Sequence, residues 1–152
     1  MKILIINPPE RYKCIENPDA KGKAFLEADD FGAFPPLGAL YVLTYLEQNT
    51  NGHELHFKDC VGEKLDHDDV AAFIDRIKPD VVGVTSFTIS LVDCVMVAKT
   101  VKRIVPESHV CLGGHHPIAY PVEAAKLKEF GSIVVGEGEY AFTELINCLE
   151  QG

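Results

Sequence analysis

The chain has 152 residues, of which 47% are apolar and 24% charged, and its formal net charge is −9. That length suits one domain with a proper core, and the composition excludes disordered and fibrous chains. The negative charge repels a phosphate backbone, and the 14 Lys and Arg form no basic stripe, which argues against nucleic acid as a partner. No apolar run is long enough for a membrane span and no basic leader opens the chain, so the cytoplasm is the expected compartment. Cys14, Cys60, Cys94, Cys111 and Cys148 contain no Cys-x-x-Cys pair and read as reduced, mostly buried thiols.

Short β-branched runs alternate with longer helical patterns, which predicts parallel strands joined by right-handed crossover helices. Residues 2–7 are the first strand, whose apolar run Ile3–Ile6 without polar alternation fits a central strand, and Pro8-Pro9 stops it. A helix opens at Pro35-Pro36, carries Leu37, Leu40, Tyr41 and Thr44, and ends at Asn51-Gly52. Residues 53–59 alternate as a half-exposed strand near an edge, with His53 and His56 read as surface residues. A helix follows at about 66–78, where Asp66, Asp68 and Asp69 suit the positive end of the helix dipole.

Residues 80–85 form the third strand, and the next helix carries Leu91, Val92, Val95 and Met96 until Pro106. Residues 109–112 and 132–135 are strands four and five, with a short helix near 121–128 between them. The last helix, 140–149, spaces Phe142, Leu145, Ile146 and Leu149 along one face. The expectation is an α/β chain with a doubly wound, five-stranded parallel sheet, flavodoxin-like and three-layered, with five helices. Residues 10–34 exceed an ordinary strand-to-helix connection and read as a lid, expected to be mobile or collapsed over the cleft when no ligand is bound.

In such a sheet, ligands bind beyond the carboxyl ends of the strands. Pro8 and Pro9 lack the backbone donors of a phosphate cradle, which argues against FMN and dinucleotides. Asn7 and Thr85-Ser86 stand where a phosphoacceptor receiver domain needs acidic groups, and Gly136-x-Gly138 follows the last strand without the third glycine of a dinucleotide loop. Hydroxyls at Thr85, Ser86 and Thr88 beside Gly113-Gly114 leave room for a flat, bulky ligand, although glycines at a strand end also serve tight turns. His115 and His116 lack the partners of a zinc site and read as loop-fixing or ligand-contacting residues. Glu137 and Glu139 match a helix start better than an acid/base pair.

Ser86-Phe87-Thr88 followed by Gly113-Gly114 resembles the Ser-x-Leu and Gly-Gly elements of cobalamin-binding domains, with Thr88 in place of leucine. The resemblance narrows with Asn7-Pro8-Pro9, Pro36-Leu37-Gly38 preceded by Pro35, Gly113-Gly114-His115-His116-Pro117 and Gly136-Glu137-Gly138-Glu139, in that order. This set is similar to the B12-binding domain in the N-terminal part of B12-dependent radical SAM enzymes. The resemblance implies cobalamin across the carboxyl edge of the sheet, its nucleotide tail between strands three and four near Ser86, Thr88, Gly113 and Gly114. The corrin would then rest over Asn7, Pro8, Pro9, Glu10 and the lid. Cys60, Thr85, Phe87, His115, His116, Gly136, Glu137, Gly138 and Glu139 complete the candidate contacts.

Two departures bear on chemistry. No Asp-x-His-x-x-Gly follows the first strand, so no histidine of this chain is expected on cobalt. No Cys-x-x-x-Cys-x-x-Cys occurs to hold the iron–sulfur cluster that cleaves S-adenosylmethionine. The chain, read as a single domain over 1–152, is therefore expected to carry the cofactor for a radical SAM domain elsewhere in a longer protein, a methyltransferase or ring-forming enzyme, without catalytic residues of its own. The alternatives are a stand-alone cobalamin or small-ligand sensor or carrier acting through a protein partner, and an interaction module that binds nothing.

Overall fold

A computed structural model describes residues 1–12 and 34–151. Most of the lid, residues 13–33, lies outside the described residues. Five strands pair in parallel, β1 (Lys2–Asn7), β2 (Glu54–Asp59), β3 (Val81–Ser86), β4 (His109–Gly114) and β5 (Ser132–Ile133), in the order β2-β1-β3-β4-β5. The order reverses between β1 and β3, so the switch point lies between their carboxyl ends. β2 is an edge strand, as its alternation predicts, and β1 is central with Ile3 to Ile6 buried.

The helices are α1 (Leu37–Asn49), α2 (His67–Ile77), α3 (Leu91–Ile104), α4 (His115–Ala119), α5 (Pro121–Ala124) and α6 (Gly138–Gln151). Successive strand residues point to opposite faces, and β1 shows the result. Leu4 and Ile6 pack with Val70 and Ile74 of α2 and Val97 and Val101 of α3, while Ile3 and Ile5 pack with Ala39 and Leu46 of α1 and Phe142 and Ile146 of α6. The outcome is the expected three-layer, flavodoxin-like architecture. Among the described residues no helix is long and apolar enough to cross a membrane.

Several expectations shift in detail. α4 is a sixth helix where a loop was expected, starting where Gly114 turns the chain at φ +90°. α5 ends at Ala124, short of the expected 128. α1 and α3 exist as predicted, and Leu91 and Val95 of α3 pack against the core as read, but other positions on the two faces differ. In α1, Leu37 and Tyr41 are exposed while Ala39 and Leu46 are buried; in α3, Cys94, Val97, Ala98 and Val101 are buried while Val92 is 42% exposed. Both helices are apolar on more than one side, so periodicity alone leaves the inward face open. His53 is a second correction, because its side chain is 2% exposed rather than on the surface. α2 opens as read, with a capping box in which Asp66 accepts from the amides of Asp68 and Asp69 and its own amide donates to Asp69.

At the start of β4, His109 meets Ser132 Oγ at 2.8 Å, and burial, followed by the nearby Lys102 ammonium, holds its pKa below the ordinary 6.5. The folded state therefore favours neutral His109, so its contribution to stability is complete above pH 6.5 and is lost as the pH falls from there through the lowered value in the fold. As the pH drops below ~6.5 the melting temperature should fall more steeply in the wild type than in His109→Gln. Parallel curves for the two proteins would contradict this.

Candidate binding cleft at the carboxyl edge

The loops that follow β1, β3 and β4 lie side by side along the carboxyl edge, and each is fixed by its own bonds. Asn7 Nδ2 donates to Asp59 Oδ1 at 2.8 Å, and Cys60 N–H donates to Asn7 O at 3.0 Å, tying the ends of β1 and β2 together. Ser86, 1% exposed, donates its hydroxyl to Gly113 O at 2.7 Å and so bridges β3 and β4 beyond their backbone ladder. Thr88 Oγ1 lies 3.2 Å from Nδ1 of the buried His116. Phe87, 53% exposed, stacks on the His115 ring with centroids 4.6 Å apart and planes 9° apart.

Beneath this edge, on the sheet face covered by α1 and α6, lies a cavity of ≈ 270 Å³. Its floor is Ile5, Gly83, Cys111 and Gly113, its helical walls are Gly38, Ala39, Val42 and Phe142, and its mouth includes Thr85, Gly114 and His115. Glycines thin it on three sides, for different reasons. A Cβ on Gly114 would lie 2.5 Å from Ser86 N and 2.6 Å from Ser86 O, so glycine is required there by the close approach of two strands. A Cβ on Gly113 would meet nothing nearer than Val134 Cβ at 4.0 Å, so the fold does not require glycine at that position, and its bareness leaves space in the cavity. Gly83 is intermediate, because its Cβ would come within 3.1 Å of the Phe142 ring.

Among the expected site residues, Thr85, Gly113, Gly114, His115, Gly136, Glu137, Gly138 and Glu139 line this cavity together. Glu139 sits in the first turn of α6, and Gly138 begins that helix, which agrees with reading the pair of carboxylates as helix-start residues. Ser86, Phe87, Thr88 and His116 do not line it. Asn7, Pro8, Pro9 and Glu10 lie across the edge at the end of β1, with both prolines buried. Cys60 is placed elsewhere: it is 1% exposed within the core on the α2 and α3 face, and burial, helped by the carboxylates of Glu63 and Asp59, pushes its thiol up to about 12. It is a packing residue in this structure. Cys111, pushed up to about 11 by burial, contributes a neutral thiol to the cavity wall.

Sequence reasoning missed Gly83, Ala39, Val42, Ile118 and Phe142. For Gly83 a signal existed, since a glycine inside an apolar strand marks close approach of another group. The α1 and α6 residues are ordinary helix positions, and only the packing of the helices over the sheet selects them. Among the described residues, no group of three His, Cys, Asp or Glu is arranged to hold a metal ion.

Comparison with known families matches residues 28–146 to the B12 binding domain. The chain belongs to this family. Among curated proteins, the chain is 30% identical over its full length to an uncharacterized methyltransferase of Pyrococcus horikoshii, of which it spans 30%. Over 82% of its length it is 30% identical to the anaerobic magnesium-protoporphyrin IX monomethyl ester cyclase of Rubrivivax gelatinosus, spanning 22% of that protein. In structure, 99% of the domain superposes with a TM-score of 0.73 and 18% identity on 26% of TsrM, a radical S-adenosylmethionine methyltransferase from Kitasatospora setae. A response-regulator receiver domain from Geobacillus stearothermophilus also matches, at TM-score 0.57 and 13% identity, which reflects the shared flavodoxin-like fold.

The two glycines make opposite predictions for this B12-binding domain. Gly114→Ala should lower stability by about 2 kcal/mol or more, since a Cβ at positive φ is strained before any clash is counted. Gly113→Ala should change it by less than about 1 kcal/mol. Urea denaturation of both variants checks the contrast, and equal losses would contradict it.

Proposed function

We propose that this domain holds cobalamin across its carboxyl edge and presents it to a radical SAM domain of the same longer protein. The observation that carries this reading is the glycine-thinned cavity running from the β3–β4 edge down the sheet. At ≈ 270 Å³ it is smaller than the ~300–1,000 Å³ of sites that enclose a whole drug-sized ligand. It therefore suits one flat portion of a larger molecule, the nucleotide base of cobalamin, with the corrin left outside above the switch point. The bare Gly113, the small Ala39 and the neutral Cys111 let a planar ring lie against the sheet, and Thr85 at the mouth offers an uncharged hydrogen-bonding group.

Asn7, Pro8, Pro9 and Glu10 would support the corrin from the end of β1, and Phe87 on His115 would form an aromatic shelf beside it. No histidine follows β1, and His67 and His116 each have a ring nitrogen bonded elsewhere, to Asp93 and Thr88. Cobalt bound here is accordingly expected to lack a histidine ligand from this chain. Cobalamin supplies the transferable or redox-active cobalt, and the iron–sulfur cluster and S-adenosylmethionine belong to the partner domain. The domain's own residues bind and orient. The relatives are several times longer than this chain, which supports a second catalytic region, and a methyltransferase or a cyclase are the reaction classes their names suggest.

Titration of the purified domain with hydroxocobalamin, followed by visible absorbance and melting temperature, tests the reading. Saturable binding with stabilisation is expected, with affinity at least about tenfold weaker in Gly113→Val and Ser86→Leu. In the reduced cobalt(II) form, the electron paramagnetic resonance spectrum should lack nitrogen splitting from a protein imidazole. Failure of the wild type to bind would overturn the proposal.

A further inference from the structure

Asp93 is an ionisable side chain with 0% exposure in the first turn of α3, on the face of the sheet opposite the cavity. A carboxylate taken wholly out of water is tolerated only where its lone pairs are taken up. Here they are. Both oxygens lie 3.2 Å from the Arg11 amide, Oδ2 accepts from the Tyr12 amide at 2.9 Å, and Oδ1 meets His67 Nε2 at 2.7 Å. Tyr12 in turn packs on the His67 ring at a centroid distance of 5.6 Å. One charge thus gathers the chain beyond β1, the start of α2 and the start of α3.

Packing alone would be served by an apolar residue at this position, and α3 already buries Cys94, Val97, Ala98 and Val101 on this side. What a carboxylate adds is a strong acceptor for two consecutive backbone amides that belong to no helix or strand. Those amides are four and five residues past Asn7, whose own end of the turn is tied to Asp59 and Cys60. The stretch between, Pro8 to Glu10, is therefore fixed at both ends, and the proline rings restrict its backbone further.

We propose that Asp93, braced by His67, is a positioning residue: it pins Arg11 and Tyr12 and thereby holds the turn at Asn7–Glu10 in place beneath the corrin, without touching the cofactor. This inference rests on the cobalamin reading above. It assigns a cofactor-binding task to a side chain on the far side of the sheet from the cavity.

Asp93→Asn keeps the shape and removes the charge. Two quantities decide the matter: amide hydrogen exchange at Arg11 and Tyr12, and the Kd for hydroxocobalamin. Exchange at both amides should accelerate about tenfold while amides of β1, β3 and β4 keep their rates, and Kd should rise about tenfold. His67→Ala, at a partly exposed side chain, should shift both in the same direction by a smaller factor and serves if Asp93→Asn does not fold. Val101→Ala, in the core near the far end of α3, should lower the melting temperature without altering Kd or those two amides. An unchanged Kd in Asp93→Asn, or undiminished protection at Arg11 and Tyr12, overturns the proposal alone. No binding by the wild type overturns the cofactor reading and this proposal with it.

Discussion

At Gly114 the backbone of β4 passes so near β3 that any Cβ would lie 2.5 Å from the amide nitrogen of Ser86. The ladder pairs Ser86 with Gly114, the Ser86 hydroxyl adds a bond to Gly113 O, and the positive φ of Gly114 then turns the chain directly into α4. Much of the cleft depends on this contact. It keeps the two strand ends together, it sets His115 against Phe87 and His116 against Thr88, and it leaves Gly113 facing open space. Two adjacent glycines thus do different things, one demanded by the backbone and one kept bare toward the cavity.

The cleft is built from asymmetry between the two faces of the sheet. Opposite the cavity, α2 and α3 pack densely against Leu4, Ile6, Val82 and Val84, and the buried Asp93 carboxylate ties the chain after β1 to both helices. On the cavity side, α1 and α6 meet strands carrying Gly83 and Gly113, and the helices themselves contribute Gly38 and Ala39. Small residues on the sheet and on the helices leave a slot of ≈ 270 Å³, while the dense face holds the strands that define it. A rigid sheet with one filled face and one slotted face is a suitable carrier, because the bound group can be positioned without rearranging the core.

Much of this was legible in the sequence, and the exceptions have physical causes. The unbroken apolar run of Ile3–Ile6 identified a central strand, and the alternation of Leu55 and Phe57 identified the edge strand β2. The four short motifs in order pointed to the family before any coordinates did. Which side of α1 faces inward was not legible, and that of α3 only in part, because Leu37, Tyr41 and Val92 are as apolar as the residues that are buried. Gly113 and Gly114 look identical in sequence, and only the distance between strands separates their roles. Asp93 was passed over inside an apolar helix pattern, since a charge in a first turn ordinarily faces water and its partners Arg11, Tyr12 and His67 are remote in sequence. Cys60, placed in the edge loop by its position after β2, turns inward because the core on the α2 and α3 face has room for it.

The central claim is that the slot beneath the carboxyl edge receives the nucleotide tail of cobalamin. Comparing the affinity of the domain for cobalamin with that for cobinamide, which has the same corrin and cobalt but no nucleotide base, isolates that contribution. The account predicts that cobalamin binds at least about 100-fold more tightly, equivalent to ~2.7 kcal/mol, and that Gly113→Val erases most of the difference while leaving cobinamide binding unchanged. Equal affinities for the two corrinoids would contradict it.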